Sequence, residues 1–326
     1  MTKKSTTGYG EKLKSELHHW WPRSLSQHWC DAHRAIHQMA VSGEIRRLKP
    51  KSLGAQTNAH HILVGGPWSN TFEPVFSEAD SSMTSLVDWV LSLEANTMDT
   101  EADIFDRITP QTVNQSDLER LAKCAASLIA RSPRTRNAIR IGARYYREQF
   151  GMINPEPEDH LIAANQRPLY ESYLSTMRSR GRWAILYSDS TEFIFGDGFL
   201  HNFCTIVGPY HSGPCLIPLL PTVTILYDTP SSHRIPPRLV TMRLDEDEIR
   251  FMNDTVQIYS KQHIFYRSQK PNPHPGFLVA EHMEYKHSAT DWLRWFSAQL
   301  CQFPARPRNQ EDHYSMIPAS MRGYFD

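Results

Sequence analysis

Seven of the sixteen histidines fall within the first 61 residues, and four of them stand as two doublets, His18-His19 and His60-His61. Imidazole is the commonest metal ligand and the side chain best placed to move protons near neutral pH. Adjacent side chains diverge on helix and strand alike, so at most one member of each doublet can enter a shared site. Metal ligation is assigned here to His18, His60 and Glu73, with a divalent ion (Mg, Mn or Zn) expected. Acid–base work is assigned to His19, His61 and Asp197. Glu78 and Asp80 stand nearby in sequence. The competing reading is aromatic packing, with Trp20, Trp21 and Trp29 buried and the histidines hydrogen-bonded at the rim.

Two further groups carry charge to places where it could act. Arg131, Arg134, Arg136 and Arg140 surround Pro133. The residue before a proline avoids helical dihedrals, so a bend is expected there. A bend would gather guanidiniums suited to bidentate phosphate recognition, with Arg131, Arg134 and Arg136 as the candidates. The alternative is a solvated basic face paired with acids such as Glu119 or Glu148. Asp197 follows an apolar run and lies between Gly196 and Gly198. Such a carboxylate either projects into a cleft, the glycines allowing close backbone approach, or bonds its own turn.

The elements that must position these groups read as α+β. An amphipathic hairpin is expected over Ile36–Val41 and Glu44–Leu48, turning at Ser42-Gly43. Helices are expected at 83–93 and behind a capping box at Ser116 and Glu119, and again at 159–178 with an interruption near Pro168. After Gly181 the period changes to that of strands. A hairpin is read over 183–187 and 192–195, with further strands at 215–217, 222–227, 239–244 and 264–266. A helix opens at Asp245-Glu246-Asp247-Glu248, and Trp292, Trp295, Phe296 and Leu300 mark a last one. Helices followed by strands give α+β architecture, an N-terminal hairpin and helical middle packed on a C-terminal, mainly antiparallel sheet. One domain is read over 16–303, with a sub-boundary near 181, a loose start at 1–15 and a tail at 304–326.

Composition excludes more than it assigns. Lys and Arg number 35 against 35 Asp and Glu, so no global field argues for nucleic acid or a membrane surface. Five widely spaced cysteines with no C-x-x-C pair fit a reducing compartment better than a disulfide framework. The N-terminal lysines lack an apolar run behind them, and no stretch approaches the length of a membrane span. A cytoplasmic protein without a membrane partner is expected. No Walker loop, dinucleotide fingerprint, H-E-x-x-H or G-x-S-x-G occurs. Cys30 lies near His28 and His33, but proximity in sequence rarely means catalytic geometry.

The order of features resembles an uncharacterised bacterial family, domain-of-unknown-function 4238. The likeness rests on His18-His19-Trp20-Trp21-Pro22, on the hairpin leading to Pro50–Asn58, and on Arg131-Ser132-Pro133-Arg134-Thr135-Arg136. It continues through Phe193–Gly198, Pro218-Leu219-Leu220-Pro221 and an asparagine-bearing helix at Ile249–Asn253, and spans roughly 16–268. It departs where Gly198-Phe199 stands in place of the usual Asn-Pro. The family label carries no activity, so the resemblance implies fold and site location only.

Two functions are weighed. One is a phosphodiester hydrolase, a nuclease acting as a toxic or anti-phage defence effector on nucleic acid or a nucleotide. The other is a non-catalytic sensor or interaction module that binds a phosphate-bearing ligand or a protein partner. Cleavage of a nucleotide cofactor such as NAD is a third, lesser reading.

Overall fold

The computed structural model describes residues 17–57, 61–63, 69–71, 74–151, 158–198, 200–201, 206–207, 210–211, 215–229, 237–278 and 288–303. The expected N-terminal and C-terminal tails lie outside them. The described chain enters on strand β1 (Leu17–His19) and a short helix α1 (Arg23–His28). It then forms the expected hairpin from β2 (Ile36–Ala40) and β3 (Ile45–Leu48), with Gly43 at φ +81° in the turn. Left-handed backbone of that kind costs glycine nothing. A 3-10 turn at Pro50–Ser52 leads to β4 (Ala55–Thr57), which pairs back on β1 with His18 opposite Gln56. Strands β5 (His61–Leu63) and β6 (Ser69–Thr71) make a small antiparallel ribbon.

The helical middle begins with α2 (Pro74–Ser92), which buries Phe76, Ala79, Met83, Leu86, Val87 and Val90 at helical spacing. Helix α3 (Ile104–Arg107) and strand β7 (Thr109–Gln111) occupy the polar stretch before α4 (Gln115–Arg131). The capping box expected at Ser116 and Glu119 is not used. Asn114 caps the helix instead, its Oδ1 accepting the Asp117 amide at 2.8 Å, so α4 starts two residues sooner. Pro133 ends α4 as its sterics demand. Ser132 is extended, with ψ 145°, and α5 (Pro133–Gln149) restarts on the proline. Helix α6 (Glu158–Ser179) runs through Pro168, where an interruption was expected.

Strand β8 (Arg182–Tyr187) follows, then the short strands β9 (Phe195–Gly196), β10 (Leu200–His201), β11 (Ile206–Val207) and β12 (Tyr210–His211). The remainder is β13 (Cys215–Leu220), β14 (Val223–Asp228), β15 (Leu239–Arg243), α7 (Glu246–Tyr259), β16 (His263–Tyr266), α8 (Pro275–Leu278) and α9 (Ser288–Gln302). The larger sheet has the order β10-β13-β14-β8-β15-β7, antiparallel except for β8 beside β15. The second sheet, β3-β2-β16-β9, is antiparallel throughout. The architecture is α+β.

One expectation fails instructively. Residues 192–195 do not fold back on β8 as a hairpin; β9 crosses to the second sheet and pairs with β16. Side chains hold the segment away from a ladder. The Glu192 carboxylate accepts the amides of Ser268 and Gln269 at 2.9 and 3.2 Å and the Arg267 guanidinium at 2.7 Å. Asn253, on α7, takes the Ile194 amide and donates to the Glu192 carbonyl, both at 3.0 Å. The crossing segment inserts Phe195 between Trp21, stacked at 4.3 Å, and Phe265, stacked at 4.9 Å. Those rings join the two ends of the chain in one hydrophobic cluster running from Trp21 to Leu300.

Candidate functional site

A cavity of about 1020 Å³ opens between α1, the turn before β2, the outer strand β3 and the 3-10 turn at Pro50–Ser52. Its wall carries Arg23, Arg34, Arg47, Lys49 and Lys51, with His33 beside them, and no carboxylate among the described lining residues. Within residues 20–52 six basic side chains stand against only Asp31 and Glu44. The neutrality of the whole chain hides this local excess.

Asp31 builds the wall from behind. Its Oδ1 accepts the amides of His33 and Ala35 at 2.8 and 2.9 Å, which closes the tight turn before β2. Its Oδ2 accepts Arg47 Nη2 at 2.9 Å and lies 3.2 Å from His37 Nε2. The Ala35 and His33 amides, with His37 and Arg47, hold its pKa down to about 2 against the opposing effect of burial. Within that turn Arg34 adopts φ +57°, the one left-handed residue other than glycine among the described residues. Such backbone costs a branched or long side chain about 1 kcal/mol or more and persists where its surroundings fix it. Cys30, also on the wall, is pushed above its ordinary pKa by burial and by Asp31. It is therefore a neutral thiol, and its Sγ donates to the Ser26 carbonyl at 3.5 Å.

None of the predicted site residues is among the described residues that line this cavity. On β1 the two histidines diverge, as adjacent strand side chains must. His18 is buried, whereas His19 is half-buried and places Nε2 3.3 Å from the carbonyl of Lys51, on the cavity rim. Trp21 and Trp29 are fully buried and Trp20 partly so, the aromatic packing that competed with metal ligation. His61 lies on β5, while His60 and Glu73 fall outside the described residues. Among the described residues no three His, Cys, Asp or Glu side chains converge on a point where a metal ion could sit.

The arginines around the α4–α5 bend do not point to one place. Arg131 is enclosed and forks onto Asp80 of α2, with Nη1 and Nη2 at 2.9 and 2.6 Å from its two oxygens. The same guanidinium lies 4.9 Å over the Phe76 ring and reaches the His19 carbonyl at 3.4 Å. Arg134 turns the other way, 4.3 Å over the ring of Tyr259 on α7. Arg136 is buried in the first turn of α5. Neither an open phosphate cradle nor a solvated basic face describes Arg131 and Arg134.

Asp197 is neither a cleft residue nor a self-bonded turn. Its carboxylate, 6% exposed, accepts the amides of Lys261 and Gln262 at 2.5 and 2.9 Å and so clamps the connection from α7 to β16. Burial pushes its pKa up to about 6, although the amides of Lys261, Gln262 and His263 pull the other way. The flanking glycines do permit close approach. A Cβ on Gly196 would meet Ser260 Oγ at 1.7 Å, and one on Gly198 would meet the Tyr259 carbonyl at 2.5 Å.

Comparison with family models, with curated proteins and with solved structures finds no match for this chain. No helix among the described residues is long and apolar enough to cross a membrane.

Proposed function

We propose that this protein binds a phosphate-bearing ligand in the basic cavity between α1 and β3. The observation that carries the reading is that five cations line one cavity with no carboxylate among its described lining residues, only Arg47 being paired, to Asp31 behind the wall. Arginine supplies forked donors and lysine a mobile point charge, the usual pair for phosphate oxygens. Titration of the full chain with pyrophosphate, followed by calorimetry at low and high salt, tests this. Saturable binding that weakens with salt and is lost in Lys49→Glu/Lys51→Glu supports it. Pyrophosphate heats no different from those of chloride sink it.

A phosphodiester hydrolase is the second reading, favoured by one contact, the His19 ring at the Lys51 carbonyl on the rim. On it, His19 would serve as acid or base toward a nucleic acid or nucleotide held by the cations. A divalent ion drawing on His18, His60 and Glu73 would sit apart from the His19 ring, because His18 and His19 diverge on β1. Loss of cleavage in His19→Ala, with pyrophosphate affinity unchanged, is the expected result. Retained cleavage in that variant removes His19 from the chemistry. Membership of the domain-of-unknown-function 4238 family stays part of this proposal and supplies no activity of its own.

A further inference from the structure

We infer that the ligand of the basic cavity is a polyphosphate chain, carried by a nucleoside or free, rather than a single phosphate group or a nucleic-acid strand. This rests on the anion-binding reading above. Five cations with only the Asp31 carboxylate behind them leave four positive charges net. One phosphomonoester brings only about two negative charges, and each diester of a strand brings one. A single phosphate would therefore leave half of the wall's net charge unneutralised. The volume of about 1020 Å³, in a cavity open to solvent and just above the roughly 300–1,000 Å³ typical of small-ligand sites, leaves room for more than one phosphate.

The placement of the cations separates a compact chain from a strand. Arg23 comes from α1, Arg34 from the turn, Arg47 from β3, and Lys49 and Lys51 from the segment after it. They line one cavity, whereas a strand-binding groove lays its charges out along the backbone it tracks. The Arg34 backbone is fixed by its left-handed turn and the Arg47 guanidinium by Asp31, so one forked donor is oriented before any ligand arrives. Ala35, Leu48 and Pro50 add an apolar margin to the same wall, against which a nucleoside could rest.

The experiment is calorimetry on the full chain at fixed ionic strength with inorganic phosphate, pyrophosphate, tripolyphosphate, adenosine triphosphate and a short single-stranded oligonucleotide. Each added phosphate gains at least one charge-assisted contact, so affinity should rise about tenfold per step up to tripolyphosphate. Adenosine triphosphate binding more tightly than tripolyphosphate assigns the chain to a nucleotide; equal affinity assigns it to free polyphosphate. Arg34→Gly supplies a variant whose backbone suits the substitution. Glycine adopts φ +57° without strain, so the variant should unfold no earlier than the native chain yet bind tripolyphosphate about tenfold more weakly. Equal affinity for phosphate and tripolyphosphate, or tighter binding of the oligonucleotide, overturns the inference and leaves the anion site standing. Full tripolyphosphate affinity in Arg34→Gly overturns it too. Binding of no anion at all overturns both.

Discussion

The Arg131–Asp80 pair separates a structural role from a phosphate-binding one, because its two ends sit in different media. The Arg131 side chain is 0% exposed and that of Asp80 34%. Asp80→Ala strands a guanidinium inside the protein, losing both of its charge-assisted bonds at 2.6 and 2.9 Å. Breaking a fully buried pair costs about 3–5 kcal/mol. Solvent already reaches the carboxylate side, and the His19 and Ser127 carbonyls still face the guanidinium, so about 2–3 kcal/mol is expected here. Arg131→Met leaves the partly exposed Asp80 free to rehydrate and keeps an unbranched chain over Phe76, costing about 1 kcal/mol. Removal of the carboxylate should therefore hurt more than removal of the guanidinium. Urea unfolding of the two single variants and of the double variant measures this, with pyrophosphate affinity unchanged in all three. Equal stability losses, or an affinity loss confined to Arg131→Met, would falsify the structural assignment.

Two further outcomes test the frame around the site. Gly181 has φ +78°, and a Cβ there would stand 2.4 Å from the Tyr227 ring, so Gly181→Ala should lose about 2–4 kcal/mol in urea unfolding; a loss below half of that refutes the packing argument. Asp197 titrates at about 6 in the folded chain against an ordinary value of 3.8, so the native state holds the extra proton between those values. Its contribution is complete below the lower value and is lost as pH rises through the upper one. The stability of the native chain relative to Asp197→Asn should thus fall by about 1 kcal/mol between about pH 5 and pH 7. A difference that is flat, or that rises with pH, contradicts the burial of this carboxylate.

What could be read from sequence was what short-range sterics decide. The Ser42-Gly43 turn, the break at Ser132-Pro133 and the start of α7 at Asp245 each follow from the dihedrals or capping capacity of one or two residues. Three of the expectations that failed were settled by distant partners, whereas the cap of α4 moved only to the neighbouring Asn114. Residues 192–195 carry strand-forming types, yet Asn253 takes backbone groups that a hairpin ladder would have used, and the 267–269 loop anchors the Glu192 carboxylate. Arg131 and Arg134 are three residues apart around a bend, and a local reading gathers them. Asp80 and Tyr259, from α2 and α7, pull them apart. Between two glycines, Asp197 reads from sequence as either a cleft residue or a self-bonded turn. Those glycines serve the approach of Ser260 and Tyr259 instead.

The basic cavity escaped the sequence for a different reason. Its residues lie close together, between Arg23 and Lys51, and their excess of charge is countable. A list of charges does not say whether side chains converge or fan out on a surface, and most runs of this kind are solvated faces. Convergence here depends on Asp31, a single carboxylate that closes the turn, sets Arg34 in left-handed backbone and reaches across to Arg47 on β3. None of these bonds follows from spacing, since the register of β2 against β3 decides that Arg47 lies opposite His37 and within reach of Asp31. The acid that looks like a neutraliser of the cluster is the residue that organises it. Asp31→Asn, which keeps an acceptor for the turn but gives up the charge that holds Arg47, ought then to weaken anion binding even though it makes the wall more positive. Tighter binding in that variant would mean that net charge, and not the orientation of Arg34 and Arg47, governs the site.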